Sequence, residues 1–194
     1  MRIKQQKQIQ KFLMKTFGKD RGSALFAAQA QTLQALIQST QNKSQNQMHM
    51  LTQTILPRIA LYQAMLKAEL SQTDVTAHMR TYMLKIVAAE KHEATAKMEK
   101  IPGFYAIYSR IFLRIVRTTD LWQSTQKHDK NTFDVTIRKC LWHTACAENG
   151  CSELCRLFCE VDHITYGGLR KLGFSRTQTL SSGGDCCDFH FFRK

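Results

Sequence analysis

The 194-residue chain has only two prolines and nine glycines, so long stretches contain nothing that would interrupt a helix. It also lacks a run of about 18 apolar residues. Its most apolar stretches are broken by Pro57, Arg58, Arg110 and Arg114, which excludes a membrane-spanning helix. The basic N-terminal stretch has no apolar core of the roughly 7–15 residues that a secretory signal needs, and a cytoplasmic protein is expected. Acidic residues are scarce, 15 against 28 Lys and Arg, for a formal charge of +13. Hydrophobic residues still make up 43% and aromatics 9%, enough for a packed core and too much for disorder.

Charge and sulfur are unevenly distributed. Residues 1–130 hold 20 basic and 8 acidic side chains, and residues 131–194 hold 8 and 7. All seven cysteines, at 140, 146, 151, 155, 159, 186 and 187, fall in that nearly neutral tail. An odd count with no secretory signal argues against a disulfide framework. The spacings contain no Cys-x2-Cys knuckle, so no structural zinc site is expected. The sequence requires no cofactor, although it leaves a catalytic divalent metal open.

The first 53 residues contain twelve Gln, yet Phe26, Ala30, Leu33 and Ile37 share one helical face, so a helix is expected over 23–40, while the Gln-rich 2–16 fits either a helix or a flexible arm. Residues 41–49 read as a connection. Pro57 suits the first position of a new helix, where its missing N–H is harmless. Ser71-x-x-Asp74 opens another helix, running to about Lys100, and Ile101-Pro102-Gly103 separates it from a helix over Phe104 to Thr118. A polar link over Gln123–Asn131 is expected next. Phe133, Val135 and Ile137 then alternate with polar residues in a half-buried strand that runs into Cys140. Cys151 to Tyr166 reads as helix, and Phe174–Leu180 and Cys187–Phe192 as an antiparallel pair joined by Ser181–Asp185. The expected fold is α+β, a helical N-terminal half on a small antiparallel sheet built mainly from the C-terminal half. The expected division is a basic Gln-rich segment over 1–49 and a domain over 50–194.

Alternation in the first strand sets Thr136, Arg138 and Cys140 opposite Phe133, Val135 and Ile137. That polar side lines a cleft if the next helix covers it, and faces solvent otherwise. Cys151, Cys155 and Cys159 repeat at one turn's spacing, and Asp162, His163 and Tyr166 continue the stripe. A carboxylate or imidazole beside Cys159 would favour its thiolate, the form nucleophilic catalysis needs, whereas Cys151 and Cys155 fit a packed core. In the last strand Cys187, Phe189 and Phe191 share one face, and Asp188 and His190 the other. Arg176 can grip a carboxylate or pair with Asp188 across the hairpin. Arg110, Arg114 and Arg117 form a basic stripe with no nucleic-acid-binding signature beside it, so a solvated face is expected.

Several ordered elements of the tail carry a resemblance. Cys140-Leu141-Trp142-His143 comes first, then Glu153-Leu154 with Phe158-Cys159-x-x-Asp162, then Phe174-x-Arg176-Thr177-x-Thr179-Leu180, and finally GGDCCDF. This succession, with Ile55–Tyr62 and Ile101–Phe104 upstream, resembles the L-2-amino-thiazoline-4-carboxylic acid hydrolase family over roughly residues 50–194. The resemblance implies hydrolytic opening of the thiazoline ring to a carbamoyl-cysteine, with a small-molecule carboxylate as partner and neither nucleic acid nor membrane. The matching positions are Cys140, Cys159, Asp162, Arg176, Cys187 and Asp188, and to these we assign Cys159 as nucleophile and Asp162 as base or orienter, with His143 and His163 as proton carriers. Arg176 would hold the substrate carboxylate, with Cys140, Arg138 and Asp188 lining the substrate side and Cys187 in the core. A non-catalytic small-molecule-binding or thiol-sensing domain using the same cleft is the alternative.

Overall fold

The computed structural model describes residues 3–194; Met1 and Arg2, the start of the basic N-terminal stretch, lie outside the described residues. The chain divides into two compact units. One comprises the residues through Tyr82 together with Ala145–Leu154, and the other Met83–Thr144 together with Cys155–Lys194.

The first unit is helical. Helices α1 (Lys4–Phe17) and α2 (Lys19–Ser39) turn at Gly18, whose φ of +80° is in the left-handed region that favours glycine. They then approach closely at Gly22, where a Cβ would sit 2.7 Å from the Met14 Cα. Ile9, Phe12 and Leu13 of α1 and Leu25 and Leu33 of α2 are buried in this unit. The connection expected over 41–49 is partly helix, because Ser44 and Gln47 form a reciprocal capping box that starts α3 at Gln45 (Gln45–Met50).

Pro57 falls in the first turn of a helix, as its position suggested, but that helix is not separate from the one before it. A π-helical segment, Leu51–Ile55, joins α3 directly to α4 (Leu56–Lys67), and the Leu56 N–H reaches back to the Leu51 carbonyl. The wider π turn accommodates the proline. The carbonyl four residues before Pro57 is that of Gln53, and it accepts a 2.8 Å bond from the Gln5 side chain instead. Buried Gln29 donates to the Pro57 carbonyl at 3.1 Å. Ser71 then caps α5 (Gln72–Arg80) by accepting from the Asp74 N–H, as its spacing predicts. Winding continues through a π-helical Thr81–Ala88 into α6 (Ala89–Met98).

The second unit packs helix on sheet. Helix α7 (Phe104–Thr118) begins and ends where expected, and β1 (Trp122–His128) follows in place of the expected polar link. β1 was hidden because it is the edge strand and its residues are polar on both faces, leaving no alternation to read. With β2 (Thr132–Cys140), β3 (Leu172–Ser175) and β4 (Cys187–Arg193) it forms, among the described residues, an antiparallel sheet of order β1-β2-β4-β3. Strand β3 starts two residues earlier than expected and stops at Ser175, so Arg176–Thr179 is a loop and Leu180 opens a short helical turn. Phe133, Val135, Ile137, Leu172 and Phe191 meet Phe104, Tyr105, Leu113 and Val116 of α7, and Phe133 stacks on Phe191 at 4.6 Å. This is the α+β architecture that the sequence indicated.

The end of β2 departs from simple alternation. Gln123 pairs with Lys139 and Ser124 with Ile137, so Arg138 has no partner and forms a β-bulge. One extra residue reverses the side on which every later side chain emerges. Cys140 therefore packs with the apolar core and not on the face of Thr136 and Arg138, while Arg138 is exposed.

Candidate functional site

Four thiols converge in the second unit. Helix α9 (Ser152–Tyr166) supplies Cys155 and Cys159 one turn apart, β4 supplies Cys187, and the bulge delivers Cys140. A short turn, Leu180–Ser182, is laid over them by Thr179, whose hydroxyl caps it by accepting from the Ser182 N–H. That turn places the Ser181 hydroxyl 3.3 Å from the Cys159 sulfur and the Leu180 N–H 3.4 Å from the Cys187 sulfur. Cys155 and Cys187 are buried as expected, but their thiols also serve as hydrogen-bond donors. Periodicity could place them inside but could not show which neighbour they face.

The surroundings favour a Cys159 thiolate. Hydrogen bonds from the Cys155 and Cys187 thiols pull its pKa well below the usual thiol value, and the Ser181 hydroxyl and the Arg176 charge add to this against the opposing effect of burial. Donating to that sulfur, together with burial, pushes Cys187 far up, so it holds its proton. Cys140 behaves differently. It precedes α8 (Leu141–Glu148), and its sulfur accepts from the backbone N–H groups of His143 and Trp142 and from the Trp122 side chain, yet burial outweighs them and raises it to about 11. His143 thus reaches the cluster through its backbone. Trp122 and Trp142 stack at 5.3 Å and fix this corner.

Arg176 is the electrostatic centre. Its side chain is only 3% exposed and donates to Asp162 at 3.2 Å and to the Cys159 carbonyl at 2.9 Å. Phe189 and Phe174 flank the guanidinium at 5.2 and 5.9 Å. Its Nε is buried with no hydrogen-bond partner among the described residues. The pairing with Asp188 that the sequence allowed does not occur. Asp188 instead accepts from the backbone N–H groups of Thr177 and Gln178, at 3.0 and 2.8 Å, and so holds the loop that carries Arg176.

Asp162 is half-buried, its side chain 30% exposed, and desolvation raises its pKa to about 6 despite the opposing charge of Arg176. Exposed His163 packs edge-on to Phe174 at 5.4 Å, and partial burial and Arg176 lower its pKa. A pocket of about 250 Å³ opens here, lined by Cys159, His163, Arg176 and Ser181 and, unforeseen from sequence, by Arg156. The Arg156 Nε donates to the Ser181 carbonyl at 3.3 Å. Of the residues singled out from the sequence, Cys159, Asp162, His163 and Arg176 come together, Cys140 lies close behind, and Arg138 and the Asp188 carboxylate stand apart. Larger cavities, of about 500 and 330 Å³, contain no thiol. Among the described residues, no three His, Cys, Asp or Glu side chains are placed to hold a metal ion.

The fold and site define an α+β protein with a thiol-centred pocket on its sheet-bearing unit. The chain belongs to the L-2-amino-thiazoline-4-carboxylic acid hydrolase family, whose pattern it matches over residues 47–191. No curated protein matches it. Among solved structures, an H-NOX protein from S. oneidensis, determined in an Fe(II)NO ligation state, aligns with 14% identity over 96% of this chain and 97% of its own. The TM-score of that alignment is 0.34, too low to support any inference about this chain.

Proposed function

We propose that this protein is a hydrolase that opens a small cyclic amidine carboxylate such as L-2-amino-thiazoline-4-carboxylate to a carbamoyl-cysteine. The observation that carries the reading is the Cys159 sulfur in the pocket wall, 3.3 Å from the Ser181 hydroxyl, in surroundings of Cys155, Cys187 and Arg176 that favour its thiolate. Family membership supplies the substrate class. The pocket is smaller than the roughly 300–1,000 Å³ typical for drug-sized ligands, which suits a single substituted ring.

In this reading the thiolate adds to the ring carbon bonded to sulfur and two nitrogens. The carbon–sulfur bond of the ring breaks, its sulfur takes a proton from Asp162, and an isothiourea linked to Cys159 remains. Water, deprotonated by His163, adds to the same carbon and expels the Cys159 thiolate, leaving the carbamoyl group. The proton taken by His163 returns to Asp162 through solvent, so that one water is consumed and the enzyme regains its starting state. Arg176, committed to Asp162 and to the Cys159 carbonyl, acts mainly on the charge of the thiolate. Exposed Arg156 is the better candidate for the substrate carboxylate, its Nε being held by the Ser181 carbonyl and its terminal nitrogens making no hydrogen bond among the described residues. The machinery lies within residues 50–194, and we regard the Gln-rich segment 1–49 as support.

Incubation of the pure protein with L-2-amino-thiazoline-4-carboxylate, with carbamoyl-cysteine followed by mass, tests the proposal. Turnover that falls by at least about 10³-fold in Cys159→Ser, with the fold retained, is expected. Absence of product from the parent protein, with and without added divalent metal, would overturn the substrate assignment. A thiol-sensing role is the second reading, favoured by the two buried thiols that donate to the same sulfur. It predicts no turnover, and a Cys159 disulfide on peroxide treatment.

A further inference from the structure

A cavity of about 500 Å³ lies outside the thiol site and along α7. Arg110, Arg114 and Arg117 line one wall at a rise of 1.5 Å per residue, and so span about 10 Å of helix. The turn between β1 and β2 supplies His128 and Lys130. Four permanent cations thus share the groove with a single carboxylate, that of Asp129. That carboxylate is already engaged. It accepts from the Asn131 and Thr132 N–H groups, both at 2.7 Å, and from the Thr132 hydroxyl at 2.9 Å, bonds that hold its pKa below the usual range.

The cations have no such partners. Arg117 donates to the neutral side chain of Gln126 at 2.7 Å, which positions its guanidinium without neutralising it. No ion pair engages Arg110, Arg114 or Lys130 among the described residues. Beneath them, Tyr105 is 8% exposed and its hydroxyl is buried with no hydrogen-bond partner among the described residues. Burial, reinforced by the Asp129 charge, raises its pKa, so the hydroxyl remains a donor. An unmatched buried donor under a cationic rim is the complement of an anionic oxygen. Tyr105 belongs to the core and His128 is the one other ring lining the groove, so no pair of rings clamps a nucleobase and charge dominates the lining.

The geometry points to a second ligand site in this groove, for a compact polyphosphate anion. Arg110, Arg114, Arg117 and Lys130 would meet successive phosphates, and the Tyr105 hydroxyl an innermost oxygen or the water it carries. The site is independent of the thiol chemistry and does not depend on the reading given to Cys159.

Titration of the full-length protein with inorganic tripolyphosphate by calorimetry tests this. We expect one site per chain, with affinity falling steadily as salt rises. Arg114→Gln should weaken binding by about tenfold or more, with the melting temperature unchanged. Arg110→Gln provides an equivalent test at a second exposed position, and Cys159→Ser should bind as the parent does. Tyr105→Phe, read alongside its melting temperature, should weaken binding a few-fold. Absence of saturable binding, or binding that neither arginine variant alters, would overturn the site. Binding to phosphatidylserine vesicles but not to tripolyphosphate would overturn the soluble ligand and mark the groove as a lipid-facing surface.

Discussion

The Cys159 sulfur accepts hydrogen bonds from two thiols and a hydroxyl and lies near a guanidinium that is almost wholly removed from water. A charge held in this way reacts without waiting for base. Iodoacetamide at pH 7 should therefore label Cys159 ahead of the other six cysteines, as read by peptide mass, and the rate should stay flat as pH falls below the ordinary thiol range. Arg176→Gln should move the acid fall-off of that labelling to higher pH, read from the pH–rate profile, since each pKa unit changes the thiolate fraction tenfold only once the pH lies below the pKa. Asp162 makes a prediction of the opposite sign. Its pKa is raised to about 6 in the folded state, from about 4 in an unfolded chain. The native state therefore binds its proton more tightly, and the stabilisation is full below about pH 4 and lost as pH climbs through 6. A group that must donate a proton works only while it holds one, so kcat should decline above about pH 6. That limb of the pH profile should disappear, along with most of the rate, in Asp162→Asn.

Among the elements, helices were the most legible in the sequence. The Ser71 cap, the Ile101-Pro102-Gly103 stop and the apolar spacing of α7 and α9 are local signals, and the structure obeys them. What stayed hidden depends on partners distant in sequence. β1 exists because β2 lies beside it, since its own side chains carry no pattern. Pro57 stays within a continuous winding because Gln5, 48 residues earlier, takes the carbonyl left free. The site was legible in its residue types but not in its geometry. Cys159, Asp162 and His163 follow from helical spacing, whereas Arg156 gave no signal at all, and Cys140 reaches the core through a bulge that only strand pairing shows. Deleting Arg138 tests that last point. Restoring alternation should turn Cys140 outward, returning its reactivity towards maleimide to that of an exposed thiol. Gly22→Ala tests close packing between α1 and α2. Its Cβ would meet backbone and not a flexible side-chain end, so a loss of about 1–3 kcal/mol in urea unfolding is expected.

For the molecule as a whole, the positive charge and the sulfur belong to different tasks. All the chemistry argued above lies in the sheet-bearing unit, and the family pattern begins only at residue 47. It would follow that the first 44 residues are dispensable, but their packing argues otherwise. Ile9, Phe12, Leu13, Leu25 and Leu33 are each at most 4% exposed, and they form much of the interior of the helical unit. At about 1.5–3 kcal/mol for each large apolar side chain buried, removing them forfeits a contribution comparable with the roughly 5–15 kcal/mol by which a domain is stable. Deletion would also strip Gln5 and Gln29 from the carbonyls of Gln53 and Pro57, leaving polar groups beside the proline unmatched. A chain starting at residue 45 should therefore show loss of cooperative melting by circular dichroism and increased dye binding. If it melts as sharply and at the same temperature as the full chain, α1 and α2 are an appendage and not part of the core.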